Sequence, residues 1–289
     1  MKAMILAAGL GTRLRPYSLN RPKPLFPVLD TPLILHTIKQ LRFFGIEEIL
    51  VNCHHLKNQI VDLVSREPGV FVQEEEKILG TGGGLRKAVQ FFGEDPFLVV
   101  NGDIFHTIDI KEVIDNHLQS GASASLVLHD YPRFNSVTVG KNGLVRSFTD
   151  KGVYGKRLAF TGIHVVDPFL LSIIPENRFS HIIDIYSSWI NKGKSIAGIQ
   201  VSNHYWADIG TPEDYLDLHA SLLKKKRFNA SNSFHIGENV TIADDVVLSD
   251  WVSIGSHSTI GSGVSLKRVV VWDGCMVADG TKISDAILV

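Results

Sequence analysis

The sequence predicts an α/β protein, built on a mostly parallel mixed sheet with helices on both faces, that continues into a short hexapeptide-repeat parallel β-helix. Through about the first 225 residues, apolar runs of strand length alternate with stretches of helical periodicity, which is typical of a parallel sheet buried between helices. From Phe234 onward, aliphatic residues recur every six positions, which is typical of stacked parallel coils. We therefore expect two domains, at residues 1–227 and 228–289.

The elements of the first domain follow from this alternation. The first predicted strands are four apolar runs, which read AMILAA (3–8), EILVN (48–52), VFVQ (70–73) and FLVVN (97–101). A helix is expected from Pro32, with Thr31 as its cap and Gly45 just past its end. A second helix is indicated by apolar residues on one face of positions 56–64, and a third is expected after the glycines at 82–84.

Later segments break the alternation. SVTV (136–139) and LVRSF (144–148) flank a Lys-Asn-Gly turn and predict a hairpin. Thr211 and Pro212 are expected to begin a final helix, as its cap and first-turn residue.

In the tail, the six-residue period of aliphatic residues slips by one position after Leu266 and then resumes. Its aliphatic positions are Ile236, Ile242, Leu248, Ile254, Ile260, Leu266, Val271, Val277, Ile283 and Val289.

Composition limits the possible partners and compartments. A net charge of −1 over 289 residues gives no argument for nucleic acid or an anionic membrane surface as a partner. The first apolar run is ended at once by Gly11 and Arg13, so we expect a buried strand and not a targeting segment. No apolar run approaches the roughly 18 residues that a membrane-spanning helix needs. Cys53 and Cys275 lie far apart, which favours free thiols in a reducing cytoplasm.

Residues 6–24 join the first strand to a glycine-rich turn and then to a run of cationic side chains. Gly9 and Gly11 allow backbone N–H groups to approach an anion closely. The cationic side chains that follow are Arg13, Arg15, Arg21 and Lys23. Because arginine offers planar, permanently charged donors, the segment predicts a multiply anionic ligand, with a nucleoside triphosphate favoured. A tight turn with solvated cations is the alternative.

Two common phosphate-binding motifs do not fit this loop. A Walker loop needs four residues between its glycines and then Gly-Lys-Ser/Thr, whereas Gly9 and Gly11 are separated by a single residue. A dinucleotide fingerprint needs a third glycine, where Leu14 stands, and an acid after the second strand, which runs into Asn52 and Cys53. The sequence therefore favours neither a P-loop ATPase nor an NAD-binding protein.

Two acids stand at the ends of short apolar segments. Asp103 follows the buried run FLVVNG, and Asp208 lies in YWADIGT. Ligands of open α/β sheets gather at the carboxyl ends of strands, and Mg²⁺ is commonly held by one or two carboxylates together with substrate phosphates. The pair therefore predicts a Mg²⁺ site beside the phosphate loop, with a turn or capping role as the alternative for each acid alone.

Four motifs together resemble the sugar-1-phosphate nucleotidylyltransferase family, also called nucleotide-sugar pyrophosphorylases. They are GLGTRLRP, RPKPLFPV, VVNGD and WADIGT. The resemblance covers about residues 1 to 225, and the tail resembles the left-handed β-helix that several members carry. It implies a Rossmann-like fold and a Mg²⁺-dependent enzyme. The implied reaction is in-line attack of a sugar 1-phosphate on the α-phosphate of an NTP, giving an NDP-sugar and pyrophosphate.

The resemblance also implies roles for individual residues. Arg13 would stabilise the leaving pyrophosphate, Lys23 would neutralise charge around the α-phosphate, and Asp103 and Asp208 would hold Mg²⁺. The implied nucleotide-binding residues are Leu6, Ala8, Gly9, Gly11, Thr12, Arg13, Lys23, Gly80 and Thr81. The implied sugar-phosphate site consists of Asn101, Asn135, Lys151, Thr161 and Gly162. The alternative for Gly80 and Thr81 is a helix N-terminus with a glycine-rich lead.

The sequence departs from the family pattern at the sugar site, where Gly152 replaces a usual proline and Asn135-Ser136 replaces a common glycine. The motifs look closest to N-acetylmuramate-1-phosphate uridylyltransferases and mannose-1-phosphate guanylyltransferases, so UTP or GTP is the expected nucleotide. Two alternatives stay open: a regulatory subunit that binds nucleotide sugar without turnover, and a bifunctional enzyme with an acyltransferase tail containing His235 and His257. We expect the tail to join subunits of a homo-oligomer or to cap the first domain.

Overall fold

The structure is a computed structural model, and it describes residues 1–149, 154–224 and 233–289. Its internal contacts divide the chain into a first unit, comprising Met1–Leu10 and Thr37–Trp206, and a second unit, comprising Gly11–His36 and Ala207–Val289. The predicted boundary between residues 227 and 228 lies outside the described residues, so the two-domain division at that point stays a prediction. Within the described residues, no helix is long and apolar enough to cross a membrane.

The first unit contains a nine-stranded mixed sheet. Its strands are β1 (Ala3–Leu6), β4 (Ile49–Cys53), β5 (Val70–Glu74), β6 (Phe97–Asn101), β8 (Ala124–His129), β9 (Val137–Val139), β10 (Val145–Ser147), β11 (Lys156–Val166) and β12 (Ala197–Gln200). The strands β6, β1, β4 and β5 are parallel neighbours in that order. β11 runs antiparallel to β6, β8 and β9. β9 and β10 form the predicted antiparallel hairpin, and β12 is parallel to β8. The short strand β7 (Ile104–His106) lies outside this sheet.

Helices cover both faces of the sheet, as predicted. They are α1 (Leu33–Phe43), α2 (Lys57–Val64), α3 (Gly80–Phe92), α4 (Ile110–Ser120), α5 (Pro168–Leu171) and α6 (Ile182–Asn191). On one face, Leu85 of α3 and Tyr186 of α6 join an apolar cluster with Met4 of β1. On the other face, His117 of α4 hydrogen-bonds through Nδ1 to Oγ of Ser125 on β8, at 2.8 Å.

The third helix begins earlier than the sequence predicted. It starts at Gly80, so Gly82, Gly83 and Gly84 lie inside its first turns and do not precede it. Glycine has a low helix propensity, but a Cβ on Gly83 would lie 2.4 Å from the carbonyl oxygen of Arg178. Close packing of two backbone segments therefore accounts for the glycines, and this tertiary contact is invisible in a local pattern.

The second unit begins with short elements between Gly11 and His36. β2 (Pro27–Val28) pairs antiparallel with β3 (Thr31–Pro32). Thr31 and Pro32 therefore lie in a strand, and the expectation that they cap and begin a helix is wrong, because α1 starts only at Leu33. The division between the two units falls within α1.

The final helix of the second unit matches its prediction. Strand β13 (Trp206–Asp208) leads to α7 (Pro212–Lys224). The hydroxyl of Thr211 accepts a hydrogen bond from the backbone N–H of Asp214, at 3.2 Å, which is the expected N-terminal cap.

The repeat from Phe234 onward forms a parallel β-helix, as predicted. Its strands are β14 (Phe234–Ile236), β15 (Thr241–Ile242), β16 (Val247–Ile254), β17 (Thr259–Ile260), β18 (Ser265–Val271), β19 (Met276–Val277) and β20 (Lys282–Leu288). β14, β16, β18 and β20 form one parallel sheet, and β15, β17 and β19 form another. The one-residue slip seen in the sequence is a register shift between β16 and β18. Repeat positions such as Ile254, Ile260 and Leu266 fill the interior.

Candidate functional site

A cavity of about 290 Å³ opens in the first unit at the carboxyl ends of the parallel strands β1, β4 and β6. It is lined by Leu6, Ala8, Gly9, Asn52, Ile78, Gly80, Thr81, Asn101, Asp103, Phe179 and His181. Seven of these residues were predicted from the sequence to bind a nucleotide, a sugar phosphate or a metal. The volume is near the lower end of the range for small-molecule sites.

The glycine-rich turn after β1 is tied to the neighbouring strand. Asn52, the penultimate residue of β4, accepts a hydrogen bond at its side-chain oxygen from the backbone N–H of Ala7, at 2.8 Å. The side-chain amide of Asn52 donates to Oε1 of Glu75, at 2.7 Å. Because Asn52 is only 2% exposed, these bonds fix the start of the turn against the sheet.

The same network reaches the segment before α3. Glu75 is 1% exposed, and its Oε2 accepts from the backbone N–H of Leu79, at 3.0 Å. A buried carboxylate is stable only when it is well hydrogen-bonded, and each oxygen of Glu75 has a donor. The chain of contacts through Ala7, Asn52, Glu75 and Leu79 therefore sets the spacing between two walls of the cavity.

Gly80 and Thr81 lie at the start of α3 and in the cavity wall. Gly80 has a φ of +70°, and a Cβ there would lie 2.6 Å from the carbonyl oxygen of Ser180. The carbonyl of Ser180 also accepts from the N–H groups of Gly82, at 2.8 Å, and Gly83, at 3.3 Å. Two first-turn donors of α3 are thus bound within the protein.

Asp103 and Asn101 occupy the wall formed by β6. Between them, Gly102 donates its N–H to the carbonyl of Leu6, at 2.9 Å, which holds Asp103 beside the end of β1. Gly162 of β11 has a φ of +82°, and a Cβ there would lie 2.7 Å from the Asn101 side-chain nitrogen. Only glycine at position 162 leaves room for that amide.

The second unit brings three of the predicted catalytic residues together. Nζ of Lys23 lies 3.2 Å from Oδ1 of Asp208, although Lys23 is only 8% exposed. A Cβ on Gly210 would lie 2.9 Å from Oδ2 of Asp208 and 3.1 Å from Nη2 of Arg13. Arg13 and Asp208 therefore lie beside Gly210, and Lys23 pairs with the same carboxylate. The net positive charge of these two cations and one carboxylate suits phosphate oxygens.

The chain turns at Gly11, just before Arg13 of this charged group. Gly11 has a φ of +60° and precedes the 3₁₀ turn Thr12–Leu14. The hydroxyl of Ser18 donates to the carbonyl of Gly11, at 2.8 Å. Because this conformation favours glycine, the positive φ accounts for Gly11 without any ligand contact.

Asn135, Thr161 and Gly162, the described residues that remain from the predicted sugar site, are not among those that line the cavity. The side chain of Asn135 accepts from the N–H of Tyr131, at 2.9 Å, and donates to Asp130, at 2.8 Å. Thr161 is buried and donates its hydroxyl to the carbonyl of Val127, at 2.9 Å. Gly162 bounds the cavity residue Asn101, as described above. Lys151 lies outside the described residues, and its role stays a prediction.

An aromatic group lies beside Thr161 in the first unit. The indole N–H of Trp206 donates to the carbonyl of Thr161, at 2.8 Å, and the rings of Tyr131 and His129 pack against Trp206. Nδ1 of His129 lies 3.0 Å from Nε2 of His204. Burial, followed by the charge of His204, lowers the pKa of His129 to about 4, so His129 is neutral at physiological pH.

Sequence reasoning missed several residues that line or support the cavity. They are Asn52, Glu75, Ile78, Phe179 and His181. Asn52 could have been found, because it ends a parallel strand at the same sheet edge as Asn101. Phe179 and His181 follow α5 by several residues, and no periodicity or motif marks them as cavity residues.

Family comparisons agree with the architecture. A family model described as nucleotidyl transferase matches residues 2–225, and one described as bacterial transferase hexapeptide (six repeats) matches residues 235–268. The first match covers well over half of the chain. The chain therefore belongs to the nucleotidyl transferase family and carries a hexapeptide-repeat extension, which confirms the resemblance seen in its motifs.

Individual relatives point the same way. UTP–glucose-1-phosphate uridylyltransferase of Synechocystis is 29% identical over 250 residues, covering 78% of this chain and 64% of the relative. Mannose-1-phosphate guanylyltransferase 1 of Arabidopsis thaliana is 32% identical over 245 residues, covering 78% of this chain and 66% of the relative. The chain thus spans just under two thirds of the length of these relatives.

A solved structure from Bacillus anthracis supports the fold. It is a provisionally assigned glucose-1-phosphate thymidylyltransferase in complex with sucrose, and it is 24% identical to this chain with a TM-score of 0.67. The alignment covers 79% of this chain and 99% of that structure. It confirms the predicted nucleotidyltransferase fold.

Proposed function

We propose that the protein transfers a nucleotidylyl group from an NTP to a sugar 1-phosphate, giving an NDP-sugar and pyrophosphate. The observation that carries this proposal is the cavity that joins the glycine-rich turn, the Gly80-Thr81 segment and Asp103 at one edge of the parallel sheet. UTP and GTP are the favoured nucleotides, since the similar proteins are a uridylyltransferase and a guanylyltransferase by name.

The nucleotide would occupy the cavity of the first unit. The backbone of Gly9 can approach phosphate oxygens closely because glycine has no side chain. Gly80 and Thr81 would meet the edge of the base, and Phe179, which is 55% exposed, offers a ring for stacking. Leu6 and Ala8 would complete the wall beside the nucleoside. Gly11 and Thr12 would continue the loop around the phosphates.

The transfer itself needs positioning and neutralisation of charge. A phosphate oxygen of the sugar 1-phosphate forms a bond to the α-phosphorus, and the bond from the α-phosphorus to the bridging oxygen breaks, so that pyrophosphate leaves. Lys23 would donate to the oxygens of the α-phosphate, and Arg13 would bind the departing pyrophosphate. Neither role requires a covalent bond to the protein.

The ion pair between Lys23 and Asp208 gives this proposal a specific step. The Lys23 ammonium lies next to the Asp208 carboxylate. An arriving phosphate would take over the hydrogen bonds of Lys23. The carboxylate of Asp208 would then be available to a cation that accompanies the nucleotide.

Asp103 and Asp208 are the proposed Mg²⁺ ligands. Both carboxylates supply the hard oxygen donors that Mg²⁺ prefers, and phosphate oxygens and water usually complete its coordination. When bound, the ion would neutralise charge on the phosphates of both substrates. Asp103 belongs to the first unit and Asp208 to the second, so their meeting on one ion stays a prediction.

The sugar 1-phosphate would lie next to Asn101. The amide of Asn101 is held over Gly162 and can donate to a hydroxyl or phosphate oxygen of the acceptor. Thr161 supports this region through its buried hydroxyl. Asn135 and Lys151 are proposed as further contacts, in keeping with the family roles of their positions.

We also propose a cytoplasmic location and assembly through the β-helix. Cys53 and Cys275 are free thiols in the structure, which suits a reducing compartment. The hexapeptide extension is compatible with a homo-oligomer.

Pyrophosphate release from a panel of NTPs and sugar 1-phosphates tests the proposal. We expect release with UTP or GTP that depends on Mg²⁺. Replacing Asp103 by Asn should lower kcat by about 10²- to 10³-fold without loss of fold, whereas the exposed Asp95→Asn should behave as wild type. The absence of pyrophosphate release with UTP, GTP, dTTP, CTP and ATP would contradict the proposal.

The same assay separates the alternatives. Binding of an NDP-sugar without turnover of any substrate pair would favour a regulatory subunit. Consumption of acyl-CoA in the presence of an amino sugar would favour a bifunctional enzyme with an acyltransferase tail.

A further inference from the structure

The β-helix contacts the cationic segment, which we define as residues 11–36, at two points within the second unit. Arg21 donates from Nη1 and Nη2 to the two carboxylate oxygens of Asp273, at 2.6 and 3.1 Å. Asp30 accepts from the N–H of Ser256, at 2.9 Å, and from the hydroxyl of the same serine. The two points lie in successive coils, so the stack holds the segment at both places.

Trp272 strengthens the first of these contacts. It is 3% exposed, and its ring lies 4.6 Å from the guanidinium carbon of Arg21 and 4.8 Å from the ring of Phe26. Its indole N–H donates to the hydroxyl of Tyr215 on α7, at 3.1 Å, and that hydroxyl donates to the carbonyl of Pro27. Arg21 is therefore held by a planar two-bond ion pair and by an aromatic face, which are both orientation-dependent contacts.

Lys23 is close enough to Arg21 to be positioned by it. The residues on either side of Lys23 are Pro22 and Pro24, and proline fixes φ near −65°. Pro22 lies on the path from Arg21 to Lys23, and each proline also restricts the backbone of the residue before it, so this path has fewer torsional options than an ordinary tripeptide. The ammonium of Lys23 lies 3.2 Å from Asp208. In the proposed mechanism, Lys23 leaves this carboxylate and binds a phosphate oxygen.

We propose that the β-helix positions Lys23 for nucleotidylyl transfer, with Asp273 and Trp272 as positioning residues that act through Arg21. The proposal rests on the proposed function, because it concerns the cation assigned to the α-phosphate. It gives the hexapeptide extension a role within its own chain, whether or not subunits also associate through it.

A matched pair of variants in the full chain isolates this role. Asp273→Asn weakens the ion pair with Arg21. Asp273 is chosen over Trp272 because its side chain is 47% exposed, so its replacement disturbs packing less than replacement of the buried Trp272 would. Asp285→Asn removes a comparable two-bond pair with Arg268 elsewhere in the β-helix, with distances of 2.5 Å. Asp285 and Arg268 have no role in the proposed site.

Steady-state kinetics and melting temperatures distinguish positioning from general stabilisation. Exposed ion pairs contribute little to stability, so both variants should melt close to wild type. We expect Asp273→Asn to lower kcat about tenfold, with KM for the NTP within about twofold, since small displacements of a catalytic group lower the rate. Asp285→Asn should keep the wild-type kcat. Equal kcat values for the two variants would overturn the proposal.

Chemical labelling tests the position of Lys23 without relying on turnover. Limited acylation by acetic anhydride, followed by peptide mass spectrometry, measures the reactivity of Lys23 against exposed Lys111 as an internal standard. Asp273→Asn should raise the labelling of Lys23 by at least about threefold while Asp285→Asn does not, because a loosened lysine spends less time beside Asp208. Unchanged labelling overturns the proposal. If wild type releases no pyrophosphate from any substrate pair, the proposed function fails, and the labelling result still decides the positioning role.

Discussion

The two units differ in how they hold the residues of the proposed site. In the first unit, the cavity walls are fixed by a buried network in which Glu75 accepts from Asn52 and from the backbone of Leu79. In the second, charged side chains hold one another, as in the pairs Lys23–Asp208 and Arg21–Asp273. Buried hydrogen bonds fix a shape, whereas side-chain ion pairs can exchange partners when a charged ligand arrives. Under the proposed function, shape recognition and charge neutralisation would be carried by different parts of the chain.

Among the variants that test this comparison, the largest effect is expected at the ion pair of Lys23 with Asp208. Replacing Lys23 by Gln should lower kcat by about 10²-fold, because the α-phosphate loses a positive charge in the transition state. Lys111→Gln, which removes an exposed lysine paired with Asp115, is the control. Initial rates of pyrophosphate release measure both variants. If Lys23→Gln kept the wild-type kcat, Lys23 would have no part in the mechanism, and the assignment of charge neutralisation to the second unit would be contradicted.

The buried network should instead govern binding and stability. In Glu75→Gln, the new side-chain NH₂ group faces one of the two N–H groups that now donate to Glu75, so one hydrogen bond is lost. The free energy of unfolding should fall by about 1–3 kcal/mol. We expect KM for the NTP to rise several-fold as the walls lose their spacing, with a smaller change in kcat. Chemical denaturation and steady-state kinetics measure the two effects.

The neighbouring Glu76 is exposed and provides the matched control. Glu76→Gln should keep wild-type stability and KM. If Glu75→Gln lowered kcat while leaving KM and stability unchanged, the network would act on chemistry and not on shape.

A smaller effect is expected at the aromatic edge of the cavity. Phe179→Ala should raise KM for the NTP by about three- to tenfold, since stacking of aromatic rings is worth about 0.5–1.5 kcal/mol. Phe169 is also an exposed aromatic residue but does not line the cavity, so Phe169→Ala is the control. Equal KM values in the two variants would exclude Phe179 from nucleotide binding.

The smallest effect concerns pH. Burial lowers the pKa of His219 from 6.5 to about 4, so the unfolded chain binds a proton there more readily than the folded chain. The corresponding stability is present above about pH 6.5 and is lost as the pH falls toward 4. Between pH 7 and pH 6 the loss should be below about 1 kcal/mol for this histidine.

Urea denaturation at pH 7 and pH 6 measures that loss. His219 accepts the backbone N–H of Leu29 at Nε2, at 3.1 Å, so His219→Gln is expected to reduce the pH dependence within the second unit. An unchanged difference between the two pH values in His219→Gln would assign the dependence to other groups.

Much of the fold could be predicted because its signals are local. Apolar runs and turn residues predicted β1, β4, β5 and β6, and the six-residue period predicted the β-helix together with its slip. Asp103 and Asp208 were predicted as site residues because ligands gather at strand ends, and the glycine-rich turn was predicted because glycine lets backbone N–H groups approach an anion. Their family motifs then supplied individual roles.

The missed features depend on contacts between distant residues. Asn52 meets Glu75 only because β4 pairs with β5, and Arg21 meets Asp273 across 252 positions of sequence. The glycines of α3 looked like a lead into a helix, because the segment of Arg178 and Ser180, against which Gly83 and Gly82 pack, is far away in sequence. Thr31 and Pro32 are residue types that favour a helix N-terminus, but they form strand β3, which pairs with β2.

The most direct test of the mechanism is a crystal structure with Mg²⁺ and the NDP-sugar product, supported by anomalous scattering from Mn²⁺ in place of Mg²⁺. The account predicts one ion with an oxygen of Asp103 and an oxygen of Asp208 both at coordination distance, about 2.1 Å for Mg²⁺, and Lys23 released from Asp208 onto a phosphate. An ion that binds only one of these carboxylates, or a Lys23 still paired with Asp208 when product is bound, would contradict it.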